Sequence, residues 1–206
     1  MRQILALTLI LATPLLAPRP AAAAAGLAQD FADRVLQAQD AAGMPFAVLD
    51  KTAARLWVYD AEGRLLGQTP ALLGEAMGDA APADIGSRPL RRIRASEKIT
   101  SAGRYVTEPG INAAGEDIVW LDYDAALSMH RVRHVPGEQR PQRLASPSIA
   151  DNRISFGCIN LPPDFYEQHI APLFGERAGV VYVLPETQPL RRVFRFLDAA
   201  APDSPS

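Results

Sequence analysis

Cysteine occurs once in this 206-residue chain, and histidine only three times. A single thiol excludes an internal disulfide, so packing and polar bonds must hold the fold. It also excludes the multi-cysteine zinc ribbons and fingers. Positive charge is not in excess: 21 Lys and Arg stand against 23 Asp and Glu, for a net charge of −2. The basic footprint of a nucleic-acid binder is therefore missing. No internal repeat of roughly 20 to 50 residues is visible, which excludes a solenoid or propeller. The longest apolar run, Ile4 to Leu16, falls short of the ~20 residues of a comfortable membrane-spanning helix.

What is present begins with an export pattern. Met1 and Arg2 form a positive start, the apolar run follows, and Ala21 to Ala25 offers small-residue cleavage sites. This layout predicts a secretory signal peptide over residues 1–25, cut near Ala25, and a periplasmic destination. An uncleaved membrane anchor is the competing reading. Without the leader, enough chain remains for one domain with a sizeable core and no stable membrane span.

Phe31, Val35 and Ala38 recur at helical spacing and predict a helix within residues 26–44, stopped by Gly43-Met44-Pro45. Residues 46–74 read as short strands and turns, with Asp60 to Gly63 the clearest hairpin signal. Residues 76–98 predict a long loop, first Ala, Gly, Pro and Asp-rich, then carrying Arg88, Arg91, Arg92 and Arg94. Loops of this length are functional lids or disordered segments. "GRYVTEPG" and "EDIVWLDYDAALSMHRV" predict further strands, and 135–152 a second, polar loop. Pro162 and Pro163 open a short helix after the cysteine. "GVVYVLP" reads as a buried strand, and Leu190, Val193, Phe194 and Leu197 mark a last amphipathic helix within 186–206. Trp57 and Trp120 sit in strand runs and are expected in the core. The fold class is mainly β with short helices (α+β).

The cysteine, Cys158, lies in "DNRISFGCIN". A thiol is a strong nucleophile only as thiolate, and a neighbouring imidazole supplies both proton acceptor and stabilising charge. The candidates are His130, His134 and His169. His169 falls on the helix after the cysteine among Tyr166, Ile170 and Leu173, and reads as a surface or helix-packing residue. His130 and His134 end a strand-like run and share a side, so alternation cannot choose between them. At ~3.3 Å per residue they lie ~13 Å apart, so a zinc site with Cys158 would need a helix there. Gly157 permits unusual backbone geometry, and its amide, with that of Cys158, could face a developing oxyanion. The competing reading is a small buried cysteine beside a glycine.

"SFGCINL" resembles the Ser/Thr-His-Gly-Cys-apolar-Arg/Asn signature of the L,D-transpeptidase catalytic domain, also called the YkuD domain. The resemblance extends in order from residue 45 to 185. "VLDKTAARLWVYDAEGRLLGQTPALLGEA" resembles the family's opening hairpin and next strand, and "ITSAGRYV" its Pro-Thr-Pro-x-Gly-Arg segment. "LSMHRV" resembles the strand bearing the upstream histidine, and "GVVYVLP" the closing strand. Two departures stand out. Phe156 occupies the position before Gly-Cys where the family usually has histidine. The upstream histidine usually lies closer to the cysteine, whereas His130 precedes it by 28 residues and His134 by 24. An insertion at 135–152 accounts for the spacing, and the "MHRV" context favours His130.

The resemblance implies an L,D-transpeptidase-like β-sandwich with a helix after the cysteine segment, and two-step acyl transfer without metal or cofactor. Cys158 would be the nucleophile and His130 the general base and acid, oriented by a backbone carbonyl near Arg131. Gly157 would supply an oxyanion N–H, with Ser155 assisting. Substrate would be peptidoglycan stem peptides, gripped through their carboxylates by Arg153, Arg131 and Arg133. Phe156 would form the pocket wall, and Asn160 would touch substrate or tie down the turn backbone. A carbapenem-type β-lactam is an implied covalent adduct. An aromatic at 156 resembles a branch joining L-alanine to diaminopimelate in one-to-three links, the usual branch making three-to-three links. A hydrolase on the same fold and a non-catalytic wall-binding domain are the alternatives.

Overall fold

The structure is a computed structural model that describes residues 21–198. The predicted leader up to residue 20, and the tail from 199, lie outside the described residues.

The described residues open with helix α1 (Ala21–Gln37), which starts inside the small-residue stretch where cleavage was expected. Alanine costs least in a helix. Ala24, Ala28, Phe31, Ala32 and Val35 form its buried stripe. Gln39 and Ala42, both at φ 52°, and Gly43 at φ 73° turn the chain out of the helix.

Eleven strands follow: β1 (Phe46–Asp50), β2 (Arg55–Tyr59), β3 (Leu65–Pro70), β4 (Leu73–Gly74), β5 (Gly103–Val106), β6 (Glu108–Ile111), β7 (Asp117–Asp122), β8 (Leu127–Arg131), β9 (Arg153–Ser155), β10 (Ile159–Leu161) and β11 (Val180–Leu184). Among the described residues the fold is thus mixed α+β, mostly sheet, with few short helices and no closed barrel. The first sheet has the order β3-β2-β1-β11-β5 and the second β10-β8-β7-β6, while β4 and β9 make a small parallel pair. The β2–β3 hairpin turns at Asp60, whose Oδ1 accepts the amides of Glu62 at 3.1 Å and Arg64 at 2.8 Å.

β1 and β11 pair in parallel and every residue of both is buried. Such central strands read as unbroken apolar runs because both sheet faces are covered. One face of the first sheet (Ala47, Leu49, Leu56, Val58, Val181, Val183) meets Val119, Leu127, Met129, Ile159 and Leu161 of the second. Its other face (Phe46, Val48, Trp57, Tyr59, Tyr182) packs under α1, Phe194 and Leu197. Trp57 is buried as expected, whereas Trp120 is only partly so and packs against Tyr123 at 5.2 Å.

Two expectations about helices need correction. The 135–152 segment is not all loop but carries helix α2 (Arg140–Ala145). The final helix is cut short: α4 (Leu190–Val193) ends where Phe194 turns extended, and a 3-10 turn follows (Arg195–Asp198). The break lets Phe194 meet Phe31 at 4.9 Å and Tyr182 at 5.9 Å. The helix after the cysteine does begin at the prolines, as α3 (Pro163–Phe165), and widens into a π-helix (Tyr166–Gly175). There the Glu176 amide reaches the carbonyl five residues back, on Ala171.

Candidate active site

Strand alternation builds the site. β8 and β10 pair in parallel with Met129 opposite Ile159 and His130 opposite Asn160. Leu127, Met129, Ile159 and Leu161 point into the core between the sheets. Ser128, His130, Cys158 and Asn160 therefore share the opposite, outer face of the second sheet. His134 lies three residues past the end of β8 and is exposed. Because that segment is a strand end and not a helix, the two histidines do not share a ligand-forming face. Among the described residues no three His, Cys, Asp or Glu side chains gather as metal ligands. His169 sits half-buried on the π-helix beside Phe165 at 4.6 Å, and desolvation lowers its pKa.

The Cys158 thiol is half-buried. Burial alone pushes its pKa up, but hydrogen bonding and charge from His130, with hydrogen bonds from Ser128, outweigh burial and hold it below the usual value. The Ser128 hydroxyl donates to Sγ at 3.5 Å, and the thiol itself points at the Ala126 carbonyl at 3.3 Å. The His130 ring is oriented by a 2.7 Å bond between Nδ1 and the Arg131 carbonyl. A carbonyl only accepts, so Nδ1 carries the proton and the neutral ring keeps its lone pair on Nε2.

The turn bearing the thiol is clamped on several sides. Gly157 has φ 135°, and a Cβ there would come within 2.8 Å of the Ile99 carbonyl, so only glycine fits. Buried Thr100 donates to the Gly157 carbonyl at 2.7 Å and accepts the Gly74 amide at 2.8 Å. Ser155 Oγ donates to the Cys158 carbonyl at 2.6 Å and accepts the Gly157 amide at 3.1 Å. Both Gly157 and Ser155 were expected to face an oxyanion. That placement is corrected, because the glycine amide and the serine hydroxyl are occupied in tying the turn.

The expected substrate arginines are also placed elsewhere. Arg131 follows Met129 to the other face of β8, where it bridges Asp117 at 3.0 Å and Glu167 at 2.5 Å and stacks on Tyr166. Arg153 is locked against Glu186 and donates to the Lys51 carbonyl at 2.9 Å, with 11% of its side chain exposed. Arg133, half-exposed, lies 3.7 Å from Glu116. Asn160 is fully buried, so it cannot touch substrate; it holds the Cys158 carbonyl at 3.2 Å. Phe156 is half-buried and lines a small cleft with Ile85, Ile99, Ala125 and Leu127. Lys98 Nζ sits 4.4 Å over its ring and pairs with Glu75 at 2.6 Å.

The 76–98 loop reaches this cleft with Ala81 and Ile85 and folds into three 3-10 turns (Ile85–Ser87, Leu90–Arg92 and Ala95–Glu97). Gly86 lies so close to the β7–β8 turn that a Cβ would meet the Asp124 carbonyl at 2.1 Å. At the loop's root a buried charge cluster joins four segments. Lys51 Nζ, fully buried, contacts Asp79 at 2.9 Å and Glu186 at 3.5 Å, and Glu186 also receives Arg153. Asp79 further accepts Thr187 Oγ1 and the amides of Glu186 and Thr187.

No protein-family model matches the chain, and no curated protein matches it.

Proposed function

We propose that this protein is a periplasmic peptidoglycan L,D-transpeptidase, a cysteine acyltransferase that crosslinks stem peptides during cell-wall biogenesis. The observation that carries the reading is geometric: Cys158, immediately before β10, and His130, on its paired strand β8, sit together, with His130 Nδ1 fixed by the Arg131 carbonyl, and the imidazole beside the thiol offsets its burial. The ordered motif resemblance over residues 45–185 supplies the substrate class and the finer fold, an L,D-transpeptidase-like two-sheet sandwich.

In the first step the thiol proton passes to His130 Nε2, and the Cys158 sulfur attacks a stem-peptide carbonyl. Ser128 shields the thiolate with its hydroxyl. Developing oxyanion charge falls to the Cys158 amide, since the Gly157 amide is engaged. His130 then protonates the leaving amine, giving a thioester. In the second step His130 takes a proton from the acceptor amine, which attacks the thioester and expels the thiol. Phe156 gives the cleft an apolar wall where the family usually places a histidine.

The test is mass spectrometry of muropeptides after incubation with purified protein. New dimers that vanish with Cys158→Ala support the proposal, and the linkage type reads directly from fragmentation. Cleaved monomers alone would assign a hydrolase. Unchanged muropeptides with a Cys158 inert to iodoacetamide at neutral pH would assign a non-catalytic wall-binding domain.

A further inference from the structure

Helix α2, in the segment whose length departs from the family pattern, sends one side chain back into the site. Gln139, at φ 49°, turns the chain so that Arg140 points inward, only 8% exposed. Its Nη1 donates to Asn160 Oδ1 at 2.9 Å, and its Nε is held by Glu138 at 2.5 Å. Asn160 Nδ2 then reaches the Cys158 carbonyl at 3.2 Å and His130 Nε2 at 3.3 Å.

These partners leave the amide one orientation. A guanidinium only donates and a carbonyl only accepts, so Asn160 must present oxygen to Arg140 and nitrogen to Cys158 and His130. The imidazole is therefore met by a donor at Nε2 and by an acceptor at Nδ1, which together select the neutral Nδ1–H tautomer. That tautomer keeps its one lone pair on Nε2, which the long Asn160 contact must yield for the thiol's proton to be taken up.

We propose that Arg140 is a positioning residue that, together with the Cys158 carbonyl, keeps the Asn160 amide from turning over and so holds the His130 ring in its Nδ1–H tautomer. A reversed amide would offer Oδ1 to an Nε2–H. The ring would then rest as the Nε2–H tautomer or as imidazolium, beside a standing thiolate. Alkylation of the sulfur needs only thiolate and would persist. Transfer to an acceptor amine needs the free base and would slow. The charged and titratable groups that bear on the ring are Cys158 and, behind Asn160, the Arg140–Glu138 pair. Arg131, Asp117 and Glu167 occupy the other face of β8.

This inference rests on the Cys158–His130 pair proposed above, but its primary readout needs no peptidoglycan. Long-range proton–nitrogen NMR of the His130 ring reports the tautomer directly, with iodoacetamide alkylation of Cys158 followed across pH in parallel. Wild type is expected as Nδ1–H in its neutral form. Arg140→Met should gain Nε2–H or imidazolium signal and keep Cys158 alkylation at or above the wild-type rate at neutral pH. Acyl transfer to an amine should fall about tenfold, as for loss of one charge-assisted hydrogen bond. Arg140→Lys, still a pure donor, should restore the wild-type spectrum. Asn160→Asp places an acceptor at Nε2 with Arg140 retained, so it should show the same tautomer change even if Arg140→Met does not fold. An unchanged Nδ1–H spectrum and alkylation profile in the folded variants would overturn the inference. A tautomer change without any muropeptide turnover in wild type would leave the relay standing and sink the transpeptidase reading alone.

Discussion

The turn carrying Cys158 and the 76–98 loop border one cleft, yet they are fastened by different chemistry. The turn is tied by buried neutral groups: Thr100 to Gly157, Ser155 to Gly157 and Cys158, Asn160 to Cys158. The loop is tied mainly to itself, by Arg88 to Asp84 and Glu97 and by Arg94 to Glu97. Its root is anchored by the buried Lys51–Asp79–Glu186–Arg153 cluster. Buried hydrogen bonds resist salt and fix a geometry, whereas ion pairs with a solvent-exposed member, as Arg94 is here, are screened and contribute less. Cys158 is thus held in a rigid mount beside a loop whose grip depends on the medium.

The largest expected effect lies at the mount. Cys158→Ala should abolish acyl transfer while leaving the thermal midpoint near wild type, because the half-buried side chain loses only its sulfur. Residual muropeptide conversion near the wild-type rate would break the assignment. His130→Ala should slow transfer by at least ~10²-fold, as for loss of a general base, and should move the pH inflection of Cys158 alkylation upward. The sign follows from the imidazole being what offsets burial of the thiol. Exposed His134, changed to Ala, should leave both measurements unaltered.

The next effects compare the fastenings themselves. Thr100→Val leaves the Gly74 amide and the Gly157 carbonyl without their buried partner, at a cost of about 1–3 kcal/mol in denaturant unfolding. A loss as small as that of Arg94→Ala on the loop would erase the contrast. At the loop root, burial would raise the Asp79 pKa, but bonds from Thr187, Lys51 and the Glu186 amide hold it at about 2, below its ordinary 3.8. A carboxyl depressed in the folded state stabilises above its unfolded pKa and loses that contribution as pH falls from about 4 towards 2. The amount is about 2 kcal/mol. Acid titration of stability should show this loss in wild type and not in Asp79→Asn. The smallest effect is in the loop: raising salt should speed hydrogen exchange over residues 84–97 while leaving 155–161 protected. Uniform protection of both segments would remove the lid from the description.

Much of the scaffold was legible because periodicity encodes it. The apolar runs at 46–49 and 180–184, the Asp60–Gly63 turn and the proline-led helix all emerge at their expected places. Cys158 and the choice of His130 over His134 rested on motif context, which local sequence does carry. Alternation on β8 could have done more: Ser128, two residues before His130, shares its face, and Arg131, one residue after, cannot. Arg153 and Arg140 were beyond reach for another reason. An arginine's partner is set by which strands the fold brings together, so Glu186 and Asn160, 33 and 20 residues away, leave no local trace. The break at Phe194 is likewise tertiary, since the ring's contacts with Phe31 and Tyr182 override helical propensity.

Stacking order along one axis runs from α1 and the C-terminal turn, through the first sheet, the shared core and the second sheet, to the cleft. Both described ends of the chain therefore belong to the layer farthest from the thiol. A bead, affinity tag or fluorophore attached at either described end, near residue 22 or 198, would turn the Cys158 face outward, away from the support. Immobilised in that pose, the protein can be presented with insoluble wall fragments, and the proposed binding tested by force or by retention on a column.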